Sequence, residues 1–193
     1  GRAAQAGAEL VVLPEKWPML AAGEDLAAGA QPIDGEAVTA ARGWAREHGL
    51  ALVAGSFTEA RPGGLPGNTS LLISPEGEIS ASYSKIHMFD VVLENKESYQ
   101  ESATYRPGDR AVLAATPWGP LGMTICYDVR FPHLYRDLAQ RGAVMLSVPS
   151  AFTRPTGAAH WEILLRARAI ENAAYVFAPA QCGVHPHGRR TWG

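Results

Sequence analysis

Short apolar runs that stop at a proline, a glycine or a single polar residue alternate along this chain with stretches of helical periodicity. Ala8 to Leu13, Leu50 to Phe57, Ala143 to Val148 and Ala174 to Ala180 read as strands. Between them lie three helical stretches. Residues 34 to 49 open on Asp34 as the N-cap, place Val38, Ala41, Trp44 and Ala45 near helical spacing, and end at Gly49. Pro132 to Gln140 is broken by Gly142, and Ala158 to Asn172 carries Glu162 and Arg166 four apart. Thr69 to Ser74 and Glu78 to Ser84 flank the turn Pro75-Glu-Gly77, while Ala111 to Ala115 and Leu121 to Ile125 flank Pro117-Trp-Gly-Pro120. Strands interleaved with helices, plus hairpins, predict an α/β chain of packed layers around a large sheet. From Ile86 to Asp109 the pattern dissolves into a polar loop, and an irregular stretch of that length in a compact domain points to function.

With 193 residues, 47% of them hydrophobic and 19% charged, there is material for one substantial core, so residues 1–193 are taken as a single domain. A formal net charge of -2 without a dense Lys/Arg block argues against nucleic acid or an anionic membrane surface as partner. No apolar run approaches the roughly 20 residues that cross a bilayer. Two cysteines, Cys126 and Cys182, are too few for a disulfide framework, which fits a reducing, cytoplasmic setting. Cys182 reads as a packed strand residue. The chain begins without Met and stops at Trp192-Gly193 without a terminating signal, so it is expected to be a fragment, incomplete at both ends.

Three polar residues each follow a predicted strand directly: Glu15, Lys85 and Cys126. If those strands are neighbours in one orientation, the three side chains converge at one sheet edge, where ligands bind in many α/β folds. Taken singly, each has a duller reading: a packed core thiol, a helix-start or surface carboxylate, a solvated strand-end ammonium. Together they supply what cleavage of an amide needs, namely a nucleophile, a base and positive charge for the oxyanion, without a metal or cofactor. A cysteine at a strand-to-helix turn is expected to expose its sulfur near the amide dipoles of the helix start, favouring thiolate. The backbone N–H after Cys126 could help Lys85 hold the oxyanion. A Cys–His pair is the rival arrangement, but none of the six histidines stands out by context, and His185-Pro-His187 lacks the further ligands of a metal site.

The segments Leu13-Pro-Glu15, Tyr83-Ser-Lys85-Ile-His87-Met-Phe89 and Ile125-Cys126-Tyr-Asp-Val-Arg-Phe-Pro132 resemble the three signatures of the carbon-nitrogen hydrolase (nitrilase) superfamily. Their order and their intervals of 70 and 41 residues are similar to those of its amidase branches. The resemblance implies an α-β-β-α sandwich, four-layered with a dimer partner. It also implies Glu15 as general base, Lys85 as oxyanion stabiliser, Cys126 as nucleophile and Glu101 as a second glutamate orienting Lys85 and the substrate. Ser147 to Thr153, Thr156-Gly157, His160 to Asn172 and Gln181-Cys-Gly183 are similar to the members that hydrolyse an ω-amide of a 2-oxo acid.

Tyr127, Arg130 and Phe152 are the candidate contacts to a small carboxylate-bearing amide. Arg130 could grip a carboxylate through its fork of donors, or pair with Asp128 instead. The reaction expected is hydrolysis of a linear amide through a cysteine thioester, releasing ammonia. ω-Amidase or N-carbamoyl amidohydrolase activity is the alternative, and a non-catalytic binding member a more distant one. The resemblance further implies a homodimer whose face includes the helix near residues 159–172, with Arg166, Arg168 and Glu171 at the interface. Sheet strands missing from either end would leave backbone groups unpaired, and the isolated chain is therefore expected to be poorly stable.

Overall fold

The computed structural model describes residues 1–20, 24–92 and 98–193. A short helix, α1 (Arg2–Gln5), ends at Gly7 and leads into β1 (Leu10–Val12), and α2 (Glu24–Ala28) precedes the longer α3 (Glu36–His48). The cap of α3 is Gly35 rather than Asp34, and the Ala37 N–H is satisfied by the Gln31 side chain at 2.8 Å. Its C-terminal stop is the one the sequence predicts, Gly49 in the left-handed region at φ 60°. The run from Leu50 to Phe57 is two strands, β2 (Ala51–Val53) and β3 (Phe57–Glu59), because the backbone turns at Gly55.

The first sheet is completed by β4 (Gly67–Ile73) and β5 (Ile79–Ser84). Strand β4 pairs antiparallel with β2 and β3 along one edge and with β5 along the other; β1 pairs parallel with β2. Two antiparallel steps separate β5 from β2, so β1 and β5 run in the same direction and end on the same side of the sheet. A small hairpin of β6 (Asp90–Val92) and β7 (Ser98–Gln100) occupies what the sequence presents as an irregular loop. Part of that loop, residues 93–97, lies outside the described residues.

The second sheet comprises β8 (Val112–Ala114), β9 (Leu121–Met123), β10 (Met145–Ser147) and, beyond the helices α4 (Pro132–Gln140) and α5 (Arg154–Asn172), β12 (Tyr175–Phe177). Its order is β12-β10-β9-β8, parallel except for β8. A three-stranded patch of β11 (Phe152–Thr153), β14 (Arg190–Trp192) and β13 (Gly183–Val184) packs beside α5. The sequence offers no periodicity there, since the strands are two or three residues long.

Period-two alternation sorts the core into two halves. Leu71 and Ile73 of β4, with Leu52, meet Val38, Ala41 and Ala45 of α3. The intervening Leu72, with Val53 and Tyr83, meets Leu121, Met123, Met145 and Leu146 of the second sheet, which also packs on Leu134, Tyr135 and Leu138 of α4. The order helix, sheet, sheet, helix is therefore complete within one chain.

Candidate active site

Glu15 lies three residues beyond β1, in a bend fixed by backbone contacts. Leu13 N–H donates to the Val53 carbonyl at 2.9 Å, and Lys16 N–H donates to Ser56 Oγ at 3.0 Å, with Lys16 itself at φ 53°. Gly55 permits the bend. A Cβ there would collide with the carbonyls of Leu13 and Pro14, and its φ of 40° suits glycine.

Lys85 follows β5 and donates its N–H to the Asn68 carbonyl at 2.9 Å. Its Nζ reaches Glu15 Oε1 at 3.2 Å and Glu101 Oε2 at 2.7 Å, and the side chain is almost wholly buried. Glu101 opens a 3-10 turn after β7, and its Oε2 also accepts from the Phe89 N–H at 2.8 Å. Asn68 Nδ2 bridges the two carboxylates, 2.8 Å from Glu15 Oε1 and 3.4 Å from Glu101 Oε1. Lys16 Nζ stands 3.9 Å from Glu101 Oε1 and over the ring of Tyr105.

Cys126 is three residues past β9, at the start of a 3-10 turn running to Arg130. Its N–H donates to the Pro149 carbonyl at 2.9 Å and its φ is 49°, a left-handed conformation that costs a residue bearing a Cβ about 1–3 kcal/mol. Asp128, fully buried, holds that turn in place. Its carboxylate accepts from the Ile125 N–H at 2.9 Å, from Tyr83 Oη at 2.7 Å and from the His87 N–H at 3.1 Å, and it pairs with His87 Nδ1 at 2.7 Å. The His87 ring stacks on Phe131 at 3.6 Å. One carboxylate thus joins the Cys126 turn to the chain on either side of Lys85.

Glu15 and Lys85 come from the first sheet and Cys126 from the second, so the three meet where two sheets pack rather than at the edge of one. All three line a cavity of about 260 Å³ together with Glu101, Lys16, Phe89, Tyr127 and Phe152. That volume suits a small ligand.

The electrostatics correct one expectation. Cys126 is only 7% exposed, and burial pushes its thiol well above the ordinary range, the Glu15 charge adding to the effect; Lys85 and the Ala151 backbone pull the other way and lose. Burial thus favours the thiol over the thiolate. Burial also opposes the ionised forms of Lys85 and Glu101, yet their mutual attraction wins: Lys85 is held well above the usual lysine value, with help from Glu15, and Glu101 is held down to about 2, with help from Lys16.

Of the three candidate substrate contacts, Tyr127 and Phe152 line the cavity and Arg130 does not. Its guanidinium lies over the rings of Tyr127 and Phe152 and bonds His160 Nδ1 at 3.2 Å, while the partners of Asp128 are Tyr83, His87 and Ile125. Arg168 is not a surface residue of α5. It is 5% exposed, donates to the Val129 carbonyl at 2.9 Å and to Glu171 at 2.7 Å, and so braces the turn that Cys126 opens. Both cysteines are free, and Cys182 is exposed rather than packed. His185 Nε2 bonds Thr191 Oγ1 at 2.5 Å, while the side chain of His187 lies outside the described residues. Among the described residues no three His, Cys, Asp or Glu side chains are grouped to hold a metal ion. Sequence reasoning missed Lys16, Asn68, His87 and Asp128. The first and last two adjoin Glu15, Lys85 and Cys126 closely enough in sequence to have been suspected.

The carbon-nitrogen hydrolase family model matches residues 1–193 of this chain. The chain belongs to the carbon-nitrogen hydrolase family. It is 46% identical to the deaminated glutathione amidase of Yersinia enterocolitica, over 97% of this chain and 67% of that protein. It is 37% identical to the omega-amidase NIT2 of Xenopus tropicalis, over 99% of this chain and 69% of that one. Among solved structures, the NitFhit protein of Caenorhabditis elegans superposes with a TM-score of 0.90 at 40% identity, covering all of this chain and 48% of that one. As a carbon-nitrogen hydrolase with the mixed α/β fold of these relatives, the chain is a hydrolase acting on amide C–N bonds.

Proposed function

We propose that Cys126, Glu15, Lys85 and Glu101 are the catalytic residues, and that the substrate is a small linear amide of the kind named for deaminated glutathione amidase. The observation that carries this reading is the buried Lys85 ammonium, 3.2 Å from one carboxylate and 2.7 Å from another, in a cavity that the only buried thiol also lines.

Because burial keeps the thiol protonated, sulfur attacks the amide carbon as its proton moves to Glu15. Glu15 Oε1 is occupied by Asn68 and Lys85, which leaves Oε2 to take the proton. The tetrahedral oxygen is held by the Lys85 ammonium. A donor of that kind contributes about 2.7–4 kcal/mol, and a placed base about 10²–10⁴ in rate. Glu15 then returns the proton to the departing nitrogen, the C–N bond breaks, and an acyl thioester remains on Cys126. Water, deprotonated by Glu15, attacks that thioester; the C–S bond breaks, the acid leaves, and Glu15 passes the proton to the Cys126 sulfur, restoring the thiol. Glu101 keeps Lys85 cationic and in place throughout.

The 37% identity to an omega-amidase supports a second substrate class, simple ω-amides, served by the same residues. Release of ammonia or amine from a panel containing deaminated glutathione and 2-oxoglutaramate separates the two. The reading extends to a cytoplasmic homodimer. No helix among the described residues is long and apolar enough to cross a membrane, and α5 presents Ile163 and Ile170, 70% and 80% exposed, as an apolar contact surface.

A further inference from the structure

The charged side chains that line the cavity do not balance. Glu15 and Glu101 face Lys85 and Lys16, two carboxylates against two ammoniums joined by contacts of 2.7 to 3.9 Å. A fifth charged residue, Arg189, lines the same cavity and pairs with no carboxylate among the described residues. Its Nε is buried and has no hydrogen-bond partner, and among the described residues its side chain makes one hydrogen bond, a long one of 3.4 Å from Nη2 to the Ala151 carbonyl. A guanidinium with five donors, held half-buried beside a polar cavity with one donor weakly used, is costly unless something in the cavity completes it. Arg130, by contrast, has its guanidinium between two rings and a histidine, and is not part of the cavity wall.

The position of Arg189 relates it to the nucleophile. Arg189 directly precedes β14, which pairs with β11 at Thr153↔Thr191. Its donor is held by Ala151, the residue whose backbone N–H acts on the Cys126 sulfur. A single residue, Ala151, thus carries both the backbone group that acts on the sulfur and the carbonyl that accepts from the guanidinium. Thr153 and Thr156 line the same cavity.

We propose that Arg189 is a specificity-determining residue that receives a carboxylate of the substrate, a few carbons from the amide that Cys126 attacks. The proposal rests on the amidase reading and deepens it. The preferred substrates are anionic ω-amides, and a neutral amide of equal length forfeits a charge-assisted, bidentate contact. The arginine takes no part in bond making or breaking.

The test compares succinamate with butyramide, which has a methyl group where succinamate has its carboxylate. In the protein as it stands, kcat/KM for succinamate should exceed that for butyramide, and Arg189→Gln should shrink that ratio by about 10- to 100-fold, chiefly through KM. Arg189→Lys, which keeps the charge and loses the fork, should restore part of it. Since Arg189→Gln could disturb β14, two readouts use the native arginine. Cys126→Ala should bind succinamate more tightly than butyramide in a titration. Succinate, but not butyramide, should protect Arg189 from phenylglyoxal, read by peptide mass. Turnover of both amides with an unchanged ratio in Arg189→Gln and no protection by succinate would overturn the proposal and leave the amidase reading intact. Succinamate binding that depends on Arg189, without hydrolysis of any amide, would sustain the proposal and sink the amidase reading.

Discussion

Cys126 combines two costs, a left-handed backbone and a buried thiol beside a carboxylate, and both are understandable only if the sulfur must be aimed and then deprotonated on demand. Cys126→Ser keeps the geometry but offers a poorer nucleophile, and turnover should fall by at least about 10³-fold with an unfolding midpoint close to the original, read by urea titration. Glu101 carries a pH signature of its own. Its carboxyl gives up its proton more readily in the folded chain than in the unfolded one, so its ionised form stabilises the fold above the ordinary glutamate range. That contribution fades as pH falls from about 4.5 toward about 2. Glu101→Gln should therefore flatten the acid limb of a stability-against-pH curve over that window; an unchanged limb would remove Glu101 from the ion-pair account. Among single residues, the sequence made Glu15, Lys85 and Cys126 legible because each directly follows a predicted strand. It hid the raised thiol pKa, because burial is a property of the assembled sheets and not of the Ile125-Cys126-Tyr127 segment.

At the scale of elements, the site depends on turns being tied to one another. Asp128 links the turn of Cys126 to β5 and to His87, and its removal strands two buried donors, Ile125 N–H and Tyr83 Oη–H, and the part-buried His87 N–H. Asp128→Ala should cost about 3–5 kcal/mol in urea unfolding, whereas Asp128→Asn, which retains an acceptor oxygen, should cost less. Gly55→Val should be worse for activity than its distance from Cys126 suggests, because a side chain at that position pushes against the carbonyls of Leu13 and Pro14 and moves Glu15. A loss of turnover smaller than about tenfold would show that the Glu15 bend tolerates displacement. Helices α3 and α4 were readable from stop signals and periodicity, Gly49 and Pro132 above all. The β6–β7 hairpin and the β11, β13 and β14 patch were not, since strands of two or three residues are specified by their partners across the fold rather than by local pattern.

For the molecule as a whole, the alternation of buried residues on β4 decides the architecture: one set faces α3 and the other faces the second sheet, so the chain must be layered on both sides. That much followed from the alternation of strands and helices, while the meeting of Glu15, Lys85 and Cys126 across two sheets did not, because nothing in a single strand records which sheet it will join. The proposed homodimer is tested at this scale. Ile163→Arg and Ile170→Arg place charges on the exposed apolar face of α5, and should shift the sedimentation coefficient toward monomer if that face is the contact. The central claim, that amide hydrolysis runs through Cys126, is tested most directly by ammonia release from 2-oxoglutaramate by Cys126→Ala under conditions where the variant remains folded. The account predicts a fall of about 10⁴-fold or more; turnover within tenfold of the unaltered protein would contradict it.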